Sequence, residues 1–177
     1  MEKWRKPMRV REALSVFMGV AMVAVGVATL NAQGGSTDSP DVNEVRHYAL
    51  TLAKAQQAAI AMQSINQLVA ANPSLNAAMD QSANTTGKET ITQQAQAIDS
   101  KYPQISAIIH ADGLQTREFI VLTGAIINDV GFVGMKKQGM IPSYPPNSIT
   151  PANAALIEAN WDAFQALAAK MAPSNAN

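Results

Sequence analysis

Apolar residues recur at spacings of three and four over most of the chain, the periodicity of helices with one buried face. From Asp41 onward, Val42, Val45, Tyr48, Leu52, Ala55, Ala59 and Met62 keep this spacing, and Gln, Lys and Asn fill the other face. The pattern predicts one long helix from Asp41 to about Ala71. Asp41 and Glu44 have the form of a capping box at its start, and Asn72-Pro73 breaks it. A short helix with Leu75, Ala78 and Met79 follows Pro73. A third, capped by Thr86 with Glu89, places Ile91, Ala95 and Ile98 on one face. Tyr102-Pro103 interrupts it, and a short fourth helix with Ile105, Ile108 and Ile109 runs to Asp112-Gly113.

The next segment, Phe119 to Met135, is apolar almost all round, as expected of a helix at the centre of a bundle. Asp112 is its expected cap, and Lys136, Lys137 and Gly139 its expected close. Thr123, Asn128, Asp129 and three glycines make it a poor membrane span. Met140 to Asn147 is rich in proline and predicts a non-helical connection. Thr150-Pro151 then opens a last helix, with Ile157, Trp161, Phe164, Ala168 and Met171 on its apolar stripe. No stretch alternates with period two, so no sheet is expected. The reading is an all-α helical bundle over residues 41–173, with about four main helices plus short ones, and a disordered tail at 174–177.

One run stands apart from this periodicity. Ala13 to Leu30 is eighteen residues without a charge. Lys3, Arg5, Lys6, Arg9 and Arg11 precede it, against Glu2 and Glu12, a net of +3 in the first twelve residues. A positive flank before an apolar run keeps the N-terminus inside and sends the following chain across a membrane. Residues 1–32 therefore read as a signal peptide or signal anchor, with a cut after Ala32 favoured over a retained anchor. Gln33 to Pro40 reads as a flexible linker. The expected location is periplasmic or otherwise extracytoplasmic.

Charge and composition then narrow the function. Residues 33–177 hold eight Lys/Arg and eleven Asp/Glu, a net of −3, which offers no footprint for nucleic acid. The absence of cysteine excludes disulfides, thiolate metal sites, iron–sulfur clusters, covalent haem and a cysteine nucleophile. The chain has no nucleophile elbow, phosphate loop, zinc-protease motif or dinucleotide fingerprint.

The remaining candidates each have a plain and a sharper reading. Glu44 and His47, three apart on one helix face, are half of a di-iron motif, or a cap residue and a surface histidine. His110 is a capping histidine at a helix end, or an axial ligand for non-covalent haem opposite Met79 or Met135. Gly124, Asn128 and Gly131 form a stripe of small residues that is either a packing seam or the wall of a ligand site. Asp129 beside it faces solvent in the plain reading, or is buried against Arg46 or Lys54. Trp161 and Phe164 are core aromatics or an exposed docking face. The expectation from these features is an exported, non-enzymatic interaction protein with a possible protein partner at the membrane and no cofactor. The alternative is a carrier of a small ligand or haem.

Overall fold

Four helices begin on a proline, where a fixed φ suits the first turn and the missing N–H has no intrahelical partner to lose. The computed structural model describes residues 39–83 and 89–172, and the chain there is all-helical. Helices α1 (Pro40–His47) and α2 (Leu52–Ala70) are followed by α3 (Pro73–Ala83) and α4 (Ile91–Lys101). Then come α5 (Pro103–Ala111), α6 (Thr116–Lys137), α7 (Pro151–Ala159) and α8 (Trp161–Met171). The export segment, the cut after Ala32, most of the 33–40 linker, Thr86 and the 174–177 tail lie outside the described residues.

The expected first long helix is divided. Ser39, not Asp41, caps α1, its Oγ accepting from Val42 N–H at 3.2 Å. The chain extends at Tyr48 and restarts at Thr51, whose Oγ1 caps α2 through Lys54 N–H. Asp41 instead accepts from Ile91 N–H at 3.0 Å, a bond from α1 to the open end of α4. The capping box of α4 is Thr90 with Gln93. The last helix is also divided, at Asn160, whose side-chain amide donates to Leu156 O at 2.9 Å.

Helix α6 lies at the centre, against α1, α2, α4, α5, α7 and α8. It is long and apolar enough to cross a membrane, but 67% of its most apolar window is buried inside the domain. Asp112 does not cap it. Asp112-Gly113 closes α5, with Gly113 at φ +80 and Leu114 N–H reaching back to Ile109 O. The core joins Phe119, Leu122 and Ile126 of α6 to Ile65 of α2, Ile105 and Ile109 of α5, Ile157 of α7 and Phe164 of α8. Each of these large side chains contributes roughly 1.5–3 kcal/mol by leaving water.

Candidate functional site

The close of α6 sets the site. Gly139 adopts φ +72 and Met140 N–H donates to Met135 O at 2.9 Å, which ends the helix and redirects the chain. Pro145 and Pro146 then supply no backbone donors. The chain turns at Asn147, which has φ 58, and Ser148 N–H and Oγ both donate to Pro145 O. This loop, the end of α1 and the first turns of α7 enclose a groove of about 610 Å³. Pro145, Pro146, Ile149, Pro151 and Ala154 supply its apolar wall; Arg46, His47, Tyr144 and Glu158 supply its polar groups.

The polar groups are held in place. His47 Nδ1 donates to Asn43 O at 2.8 Å, which fixes the ring against its own helix. Arg46 and His47 occupy the last turn of α1, where the helix dipole favours a cation. Glu158 accepts from Tyr144 at 2.5 Å and from Lys136 at 2.8 Å, and the Lys136 ammonium lies 4.5 Å from the Tyr144 ring centre. Lys136 and then Tyr144 hold the Glu158 carboxyl below its ordinary range. Burial, and then Glu158, push the Tyr144 hydroxyl up.

Beneath the groove lies a buried polar hub. Asp129 is fully buried, contrary to the solvent-facing expectation, and neither Arg46 nor Lys54 moves its pKa. Its Oδ1 accepts from Asn128 Nδ2 at 2.8 Å and its Oδ2 from Asn153 Nδ2 at 2.7 Å. Asn153 also donates to Tyr48 O and accepts from Leu50 N–H, so α7 locks the break between α1 and α2. Asn128 also donates to Ser148 O at 2.8 Å, fastening the proline loop to α6. Burial pushes the Asp129 carboxyl up to about 6, against the smaller downward pull of the two amides. Asn153 lies 24 residues from Asp129, and no local pattern points to it.

The other sequence candidates are placed elsewhere. Glu44 forms an ion pair with Arg117, and His47 is exposed one turn on. No cluster of three or more His, Cys, Asp or Glu suited to a metal occurs among the described residues. His110 is exposed, with Nε2 3.3 Å from Thr116 Oγ1. Ser106 and Thr116 both donate to Asp99 Oδ1, at 2.6 and 2.5 Å, and lower its pKa. In a hydrolytic triad the imidazole stands between hydroxyl and carboxylate. Here the hydroxyl stands between, its proton directed to Asp99, and the set ties α4 to the start of α6.

The glycine stripe does not form one seam. Gly124 is buried in the core, whereas a Cβ on Gly131 would meet nothing within 4 Å. Close packing falls instead at Gly134, where a Cβ would lie 3.3 Å from Trp161 Cη2. Phe164 is fully buried, so it does not share a surface patch with Trp161. Trp161 is half-buried beneath the Lys137 ammonium, 5.5 Å from its ring. No family model, curated protein or solved structure matches this chain.

Proposed function

We propose that this chain is an exported, non-catalytic helical domain that binds a protein partner through the proline-walled groove. The observation that carries the reading is the groove itself. An apolar wall of prolines, Ile149 and Ala154 meets a few fixed polar groups, the usual composition of a recognition surface. Its prolines leave few backbone donors unsatisfied when water is displaced. The N-terminal cationic flank and eighteen-residue apolar run support export. The weakly acidic body argues against nucleic acid.

A groove of about 610 Å³ is also the size of a small-molecule site. This favours the groove over the glycine stripe if the chain carries a small ligand. Native mass spectrometry of the chain gently purified from its host separates the two. The partner reading expects a protein subunit on wild type that is lost in A155W, which fills the exposed rim. A small bound mass lost in A155W would support the carrier. A bare chain from both soluble and membrane fractions would oppose both.

A further inference from the structure

The loop that walls the groove is fastened by two side-chain hydrogen bonds of opposite kinds. At one end Tyr144 donates to Glu158. At the other, Asn128 donates to Ser148 O, and the same amide nitrogen donates to the buried Asp129 carboxylate. Both hydrogens of Asn128 Nδ2 are therefore used, one on the loop and one on Asp129. Asn153 is fixed more firmly. Its amide donates to Tyr48 O and Asp129 Oδ2 while its oxygen accepts from Leu50 N–H.

An ionised carboxylate accepts both amides, but a protonated one carries an O–H that needs an acceptor in a buried place. Turning Asn153 to offer its oxygen would break two further bonds, to Tyr48 and Leu50. Turning Asn128 breaks one, the bond to Ser148 O. Asn128 is half-buried, so its displaced NH₂ reaches water more readily. The cheaper response to a proton on Asp129 is therefore the one that frees the loop.

We propose that protonation of Asp129 turns the Asn128 amide and unfastens Ser148, so the groove is held in shape at neutral pH and loosened in mild acid. The functional meaning of this switch rests on the groove being the binding surface. Several charged or titratable groups sit on the surrounding elements. They are Arg46 and His47 in the last turn of α1, Tyr48 at the break after it, Lys54 on α2, Glu118, Lys136 and Lys137 on α6, Tyr144 on the loop, and Glu158 on α7. None contributes to the shift of Asp129, which comes from burial and the two amides. His47 lines the same groove, so the test is run in an H47Q background.

The test is heteronuclear NMR of the full chain between about pH 4.5 and about pH 7.5, with no partner present. The Asn128 side-chain amide and the Ser148 backbone amide should shift together with one midpoint. The Ser148 carbonyl carbon, which loses the bond from Asn128, should move on the acid side to the position it holds throughout in N128A. D129N should show no transition and resemble the acid form throughout. N128A should leave Asp129 titrating while Ser148 no longer responds. The proposal is overturned if Asp129 titrates with Asn128 and Ser148 unmoved, or if Ser148 moves equally in D129N. Because no partner is present, failure of the switch and failure of the binding reading are separate results.

Discussion

Replacing Asp129 by Asn should remove a pH dependence from the stability of the fold. Asp129 is fully buried with two amide donors and no cationic contribution, and its carboxyl titrates at about 6 in the fold. Its ordinary value is 3.8. The folded state thus holds the proton more tightly than the unfolded one. For a carboxyl raised in this way, the stabilisation is full below 3.8, falls as pH rises toward about 6, and is gone above it. The gap of about 2 pH units, at about 1.4 kcal/mol each, makes the effect about 3 kcal/mol. Asp99, Glu118 and Glu158 have lowered pKa values, so they act with the opposite sign, losing stability only as pH falls through their own folded values. They are present in both proteins and cancel in the comparison. Urea unfolding of the wild type and D129N at steps from about pH 4 to about pH 7.5 reads the difference. Its value should move by about 3 kcal/mol in favour of D129N as pH rises. A difference that stays flat over this range would refute the account of Asp129 as a buried carboxyl without a cation.

Other outcomes follow from packing and backbone geometry, each measured by chemical denaturation at fixed pH. Phe164→Ala should cost about 3–5 kcal/mol, because the ring is fully buried and leaves a cavity. Gly131→Ala should stabilise by about 1 kcal/mol, since a Cβ there meets nothing within 4 Å and glycine is a poor mid-helix residue. Gly134→Ala should gain less or lose, because its Cβ presses on Trp161 at 3.3 Å, and Trp161 fluorescence should report the shift. Gly139→Ala should destabilise by roughly 1–2 kcal/mol through its positive φ, without a loss of contacts.

Much of the fold was legible because it depends on local periodicity. The three-four stripes and the prolines at helix starts mark most elements, and the all-round apolarity of α6 marks the centre. The breaks at Tyr48–Thr51 and Asn160 were not, because neither interrupts the apolar spacing. Tyr48 lies on the stripe and is extended by the Asn153 amide that binds its carbonyl. The Asp41/Glu44 pair shows how a local signature is outbid by distant partners. Asp41 is drawn to Ile91 N–H and Glu44 to Arg117, contacts 50 and 73 residues away.

The groove was less legible than the fold. Its proline loop was recognisable as a connection, but its depth depends on the loop folding against α1 and α7. Asn128 and Asp129 were identifiable as an unusual pair in an apolar helix. Their function as a hub requires Asn153 and Ser148, which no spacing rule connects to them. Phe164 and Trp161 share a stripe in sequence, yet one is core and the other is half-exposed, because a helical face spans both sides of the core boundary.

The most direct test of the binding account is site-specific photocrosslinking in intact host cells. One crosslinker replaces Ala155 on the groove, and a second replaces Gln96 on α4, outside the groove lining. The account predicts one discrete protein adduct, formed outside the cytoplasm, from position 155 and not from 96. The identified partner should bind the purified wild-type chain and not A155W. The same adducts from both positions, none from 155, or a chain confined to the cytoplasm would contradict it.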